Sequence, residues 1–357
     1  MTQKKREITF YMTTIISCLV AMTVVVIAAL LIYDRIREKA DDKEAQEAIA
    51  NAPVTYTQEE VDAMLAQAVS DAQEQTSRET QERILAELEE SLINGPTTVQ
   101  ALRPFYPNDI VVVSNSVFHF VPIKDNLKKH GLLQENIQVL ENGEMQYVQD
   151  GQVVSHKGID VSKYQGSIDW EKVAADGVEF AIIRLGYRGY GKEGTIVEDE
   201  TFKANIAGAN AAGVKVGVYF FAQAITEEEA LEEARFVLDL IAPYKVDFPV
   251  VYDVEKTRES SGRMNQLTQE ERTRVTITFL NAIREAGYTP MLYGNMEMLS
   301  VLIDVEQLEE YEKWYAYYGS QLYFPYEYSI WQYSEKGVVN GINGDVDLNI
   351  SFKLWGE

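Results

Sequence analysis

The chain holds one cysteine, Cys18, in 357 residues, which excludes an intramolecular disulfide and a zinc site built on thiolates. Histidine is nearly as scarce. His119, His130 and His156 lack the spacing of metal ligands, and the sequence calls for no metal and no cofactor. Basic residues are outnumbered, with 32 Lys and Arg against 56 Asp and Glu and a net charge of −24. No basic stripe offsets that charge, so a nucleic-acid partner is not expected. The glycine-rich stretch Gly186-Tyr-Arg-Gly-Tyr-Gly191 has no P-loop lysine and is not read as a phosphate cradle. What is present is a hydrophobic content of 46%, ample for at least one sizeable core in a chain long enough for two to three average domains.

One long run lacks charge altogether. Ile8 to Tyr33 follows Lys4-Lys5-Arg6 and precedes Asp34-Arg35. A helix of that length spans a bilayer and exceeds an ordinary cleavable signal, so residues 1–34 are expected to form a cytoplasmic tip and a single-pass transmembrane helix. The basic N-terminus favours an inside start, which puts the remainder at the cell membrane on its extracytoplasmic side. Ile15-Ile16-Ser17-Cys18 loosely resembles a lipoprotein cleavage box, but the apolar run continues past Cys18.

Residues 35–95 are rich in Glu, Gln, Ala and Asp and read as a helical stalk. Thr57-x-x-Glu60 has the form of a capping box, and Val61, Leu65, Ala68 and Ala72 keep helical spacing until Gln75. Self-association through the stalk is a possible partner reading, although the apolar seam is interrupted. Residues 96–156 read as a small β-rich connector or module, with strands at Ile110–Val113 and Val117–Val121 and turns at Asn142-Gly143 and Asp150-Gly151. From 157 onward strands alternate with helices. Strands are expected at Gly158–Tyr164, Phe180–Leu185, Val214–Phe221, Phe248–Val254 and Pro290–Tyr293, with helices such as Thr226–Ile241 and Thr268–Ala286 between them. Three strands then follow without helices, at Trp314–Tyr318, Ser329–Tyr333 and Asp345–Leu348. Eight strands in about 200 residues suit a shortened barrel with its site at the C-terminal strand ends.

The pair Asp253 and Glu255 closes the apolar run Phe248-Pro-Val-Val-Tyr-Asp-Val-Glu255. Residues two apart on a strand share a face, so both carboxyls are aimed at one small volume. Hydrolysis of a glycosidic bond uses such a pair, one carboxyl protonated to aid the leaving oxygen and one ionised beside the sugar carbon. An exposed acidic strand end fits the pair equally well when it is taken alone.

Four separated motifs carry a resemblance that goes further. Gly158-Ile-Asp-Val-Ser-Lys-Tyr-Gln-Gly166, Val251-Tyr-Asp-Val-Glu255, Trp331-Gln-Tyr333 and Asp345-Val-Asp-Leu-Asn349 resemble, in order and separation, the glycoside hydrolase family 25 muramidases of the Chalaropsis type. The likeness covers residues 157–357. It implies the fold class α/β, an irregular TIM-like (β/α)5β3 barrel, here preceded by the transmembrane helix, the stalk and the β-rich segment. It also implies hydrolysis of the β-1,4 bond between N-acetylmuramic acid and N-acetylglucosamine in peptidoglycan glycan strands, the expected partner. The family's acidic positions match Asp160, Asp253, Glu255 and Asp347. By resemblance Glu255 is the general acid, Asp253 faces the sugar, and Asp160 and Asp347 set their pKa values; a retaining reaction with assistance from the substrate's acetamido group is favoured. Tyr219, Tyr293, Trp314, Tyr318 and Trp331 match sugar-binding aromatics, and Arg184 is expected to pair with an acidic neighbour in the site. The alternative reading is a tethered module that grips cell-wall glycan without cutting it.

Overall fold

The computed structural model describes residues 23–33, 35, 57–95, 97–258 and 261–356. They fall into two compact units, Met1–Ala101 and Leu102–Glu357. In the first, Gln58–Asn94 is one helix, opened by a capping box in which Glu60 N–H donates to the Thr57 hydroxyl and Thr57 N–H donates to Glu60. No residue of this helix is buried.

The expected membrane-spanning helix requires correction. Residues 8–22 of the run lie outside the described residues. Residues 23–33 are helical, but eleven residues at 1.5 Å rise reach only about 16 Å, near half of a hydrocarbon core. Among the described residues no helix is long and apolar enough to cross a membrane. The single-pass anchor, its orientation and the cell-membrane localisation are therefore withdrawn.

The second unit is built on a closed barrel. Its strands are β1 (His156–Val161), β2 (Phe180–Arg188), β3 (Lys215–Phe221), β4 (Val250–Asp253), β5 (Pro290–Asn295), β6 (Glu312–Ala316), β7 (Ile330–Gly337) and β8 (Val346–Ser351). Neighbours from β1 to β7 pair in parallel, and β8 closes the ring antiparallel to both β7 and β1. The crossovers carry helices α1 (Trp170–Ala175), α2 (Phe202–Ala211), α3 (Glu227–Ile241) and α4 (Gln269–Glu285); the fifth is only a π-turn, Met298–Leu302, and a 3-10 turn, Val305–Leu308. Sequence explains the longer helices. Thr226 and Thr268 cap α3 and α4 by accepting from Glu229 and Glu271 N–H, with acidic residues in each first turn. Ala230, Ala234, Val237 and Ile241 on α3, and Val275, Phe279 and Ile283 on α4, keep helical spacing and bury one face against the barrel wall.

Inside the barrel, the N-terminal end is plugged by aromatic rings. Phe180 and Phe248 stack with centroids 4.6 Å apart, and Trp355 meets Phe248 edge-on at 4.9 Å. Glycine makes room for them: a Cβ on Gly158 would lie 2.1 Å from the Phe180 ring, and one on Gly217 would lie 2.9 Å from Phe248 Cβ. Apolar filling at this end leaves the polar side chains of the interior at the C-terminal strand ends, where the loops open.

Residues 109–153 form two small sheets against the same core. Asp109–Ser114 pairs with Val117–Pro122, and Ile137–Val139, Met145–Gln149 and Gln152–Val153 make a three-stranded meander. Ile110, Leu127 and Met145 join the barrel's outer core. Tyr326 accepts from Lys124 N–H at 2.8 Å, and Lys124 Nζ bonds Glu306 at 2.7 Å. A core too small to stand alone is thus completed by burial on a neighbour.

Candidate active site

At the C-terminal ends of the parallel strands lies a pocket of roughly 150 Å³, lined by Asp160, Tyr219, Asp253, Glu255, Tyr293, Trp314, Tyr318, Gln332 and Asp347. Strand alternation places most of them, while Glu255 and Tyr318 stand just past the ends of β4 and β6. Val251 faces the barrel interior, so Asp253 does too, and Glu255 follows two residues beyond. Asp160 and Asp347 are direct partners across the antiparallel β1–β8 pair, which puts both carboxyls on one face.

Asp160 is buried and tied on both sides. Its Oδ2 accepts from Gln332 Nε2 and from Asn349 Nδ2, each at 2.8 Å. Those amides are themselves oriented: Tyr293 hydroxyl donates to Gln332 Oε1 and the Trp314 indole donates to Asn349 Oδ1, again at 2.8 Å. Burial, then the charge of Asp347, pushes the Asp160 carboxyl well above the carboxylate range, against the two amide donors. Asp347 is raised by burial to about 6, and a hydrogen bond from Asp160 opposes that rise. Burial thus raises both carboxyls of the pair, which favours a proton shared between them.

Asp253 is also pushed well up, by burial first and by the charges of Glu255 and Asp160 second, while Arg184 pulls it down. Its Oδ1 is buried without a hydrogen-bond partner among the described residues. Glu255 is raised by burial, with the Tyr293 hydroxyl lowering it and Asp347 raising it. Four carboxyls sharing one desolvated volume cannot all ionise at neutral pH, so the pocket stores protons beside anionic oxygens. That is the equipment of general acid–base chemistry.

The aromatics divide between two faces. Trp314 and Tyr293 meet at 4.6 Å, and Tyr219 stands edge-on to Trp314 at 6.2 Å, forming one wall of the pocket. Tyr318, 50% exposed, stands at the rim. Trp331 does not line the pocket. It is 0% exposed on the outer face of β7, donates to Tyr317 O at 2.8 Å and packs on Tyr328, because Gln332 takes the inward position between Trp331 and Tyr333. Arg184 pairs with Asp199 at 2.7 Å, a carboxylate outside the acidic quartet, and lines a neighbouring groove. Gln332, Asn349 and Asp199 escaped the sequence reading. Gln332 and Asn349 stand within quoted motifs as polar residues on apolar strands, which was the available signal; nothing local marks Asp199.

The model of the family described as glycosyl hydrolases family 25 matches residues 159–342. The chain is 30% identical over 203 residues to the uncharacterized protein YegX of Escherichia coli K12, covering 54% of this chain and 68% of that protein. It is 30% identical over 194 residues to the autolytic lysozyme of Clostridium acetobutylicum, covering 54% of this chain and 55% of that one. Among solved structures, the modular autolysin LytC of Streptococcus pneumoniae, in complex with a synthetic peptidoglycan ligand, superposes with a TM-score of 0.51 at 22% identity, covering 67% of this chain and 57% of that one. This last likeness is one of fold. The chain spans a little over half the length of the lysozyme and of the autolysin.

Proposed function

The chain belongs to family 25 of the glycosyl hydrolases, and from that membership and its four-carboxyl pocket we infer that it is a muramidase. Its substrate is peptidoglycan, cut at the β-1,4 bond between N-acetylmuramic acid and N-acetylglucosamine. A relative bearing the name lysozyme and a fold neighbour bound to a peptidoglycan ligand agree with this reading. The observation that carries it is Asp253 beside Glu255, with an Asp253 oxygen buried and unpartnered in a pocket walled by aromatic rings.

In the proposed reaction Glu255 donates its proton to the leaving glycosidic oxygen. In the free protein burial raises both Asp253 and Glu255, so the two compete for a proton. An acetamido N–H donated to the unpartnered Asp253 Oδ1 stabilises the Asp253 carboxylate and leaves the proton on Glu255. The same contact turns the acetamido oxygen toward the sugar carbon, so internal attack and retention follow. Asp160 and Asp347 supply the surrounding charge and hydrogen bonds. Tyr293, Trp314 and Tyr318 pack on the apolar faces of the sugar rings, and the exposed Gln58–Asn94 helix is the surface through which self-association is proposed, which sedimentation of the full chain measures.

Digestion of purified peptidoglycan by the full chain tests the activity. After borohydride reduction, mass spectrometry should find fragments ending in reduced N-acetylmuramic acid. Fragments ending in reduced N-acetylglucosamine, or peptide cleavage alone, would overturn it.

A further inference from the structure

Beside the acidic pocket, over β1, β2 and β3, runs a second groove of about 350 Å³, lined by Lys163, Tyr164, Arg184, Tyr187, Tyr190 and Phe221. The two cavities lie on adjacent strands. Arg184 on β2 is the register partner of Tyr219 on β3; the first lines the groove and the second the acidic pocket.

In a chain of net charge −24 this groove concentrates cations. Two arginines are neutralised where they stand: Arg184 by Asp199 at 2.7 Å, and Arg188 by Glu233 at 2.7 Å and Glu232 at 3.1 Å. Lys163 differs. Its Nζ lies 5.9 Å from the centroid of the Tyr164 ring and makes no ion pair among the described residues. Tyr164 is 78% exposed, so core packing does not account for its place; its ring lies 5.1 Å from the Arg184 guanidinium and lines the groove. Tyr190, also exposed, stands edge-on to Phe221 at 6.2 Å. An aromatic platform beside one uncommitted ammonium fits a sugar that carries a carboxylate.

We propose that this groove selects carboxylate-bearing sugar, with Lys163 as the residue that reads the charge and Tyr164 and Tyr190 as the platform. The inference rests on the muramidase reading. In peptidoglycan the muramyl unit meets the requirement in two ways: through its own lactyl carboxylate when that is free, or through carboxylates of a peptide attached there.

The test compares wild type, Lys163→Gln and Lys163→Arg in the full chain on three glycans: peptidoglycan with its peptides, the same glycan stripped of peptides so that lactyl carboxylates are free, and stripped glycan whose carboxylates have been amidated. Lys163→Gln should raise KM about fivefold on a glycan bearing the recognised carboxylate, the size of a rim ion pair, with kcat unchanged and Lys163→Arg close to wild type. A penalty on stripped glycan alone identifies the lactyl carboxylate, and one on peptide-bearing glycan alone identifies the peptide; a penalty on both also supports the proposal. Equal KM values for wild type and Lys163→Gln on both charged glycans would overturn it, as would a penalty that persists on the amidated glycan. If wild type turned over none of the three, the muramidase reading would fall first. Calorimetric binding of the same glycans to Glu255→Gln and to Glu255→Gln with Lys163→Gln would then read the groove alone, with the same fivefold ratio expected and the same equality overturning it.

Discussion

Asp160 offers the sharpest test of the site's hydrogen-bond logic, because two substitutions of it should behave in opposite ways. Its Oδ2 accepts from Gln332 Nε2 and Asn349 Nδ2, both buried, and neither amide can turn away without abandoning Tyr293 or Trp314. Asp160→Ala therefore strands two buried donors at about 1–3 kcal/mol each, roughly 2–6 kcal/mol in all. Asp160→Asn should cost little. Its amide oxygen can take both donors and its N–H can face Asp347, standing in for a carboxyl whose neutral form burial and the charge of Asp347 favour. Urea unfolding of the full chain at neutral pH measures the difference, with Asp160→Asn near wild type and Asp160→Ala lower by several kcal/mol. Equal loss in both variants would mean that Asp160 must be ionised, and a loss below about 1 kcal/mol in Asp160→Ala would mean that the donors find other partners.

Glu255→Gln should keep the fold and lower peptidoglycan turnover by about 10²–10⁴, the usual worth of a general acid, as read from reducing ends released over time; near wild-type turnover by a folded variant would remove the role from Glu255. Asp347, lifted by burial from 3.8 to about 6, binds its proton more tightly folded than unfolded, so its contribution to stability is full below pH 4 and is lost as pH rises through about 6. Asp347→Asn escapes that loss: the urea midpoint of wild type relative to the variant should fall between pH 4 and pH 7, and a constant gap would contradict the shift. Trp331→Phe, which removes the indole donor to Tyr317 O, should lower stability by about 0.5–1.5 kcal/mol, the net worth of one hydrogen bond, with KM unchanged. Tyr318→Ala at the rim should do the reverse, raising KM roughly fivefold for about 1 kcal/mol of lost ring packing while leaving the denaturation midpoint in place; a KM change in the tryptophan variant would move Trp331 into the binding surface.

Much of this molecule is written in short stretches of chain. The capping boxes at Thr57 and Thr268 and the helical spacing of α3 and α4 depend on contacts within a few residues. Strand alternation points Asp253 inward, Glu255 reaches the same pocket from just past the end of β4, and their approach to Asp160 and Asp347 was legible only because four motifs spaced along the chain resemble one family. The uncharged run from Ile8 to Tyr33 shows the limit of composition. Charge-free length is necessary for a membrane span, but the described helix within it, residues 23–33, is too short to make one.

What the local sequence could not supply was decided by pairing between distant strands. Alternation says that Trp331 and Gln332 face opposite ways, but only closure of β7 against β8 shows that the amide points inward and the indole outward. Gln332 reaches Asp160 across 172 positions and Asn349 reaches it across 189, so no window of sequence contains either contact. Arg184 and Asp199 are closer along the chain, yet their pairing depends on the turn after Ile196–Glu198, a strand that exists only by lying against β2. The carboxyl chemistry of the four acids was in the residues; their proton sharing was not. It arises from burial, and burial is a property of the closed barrel.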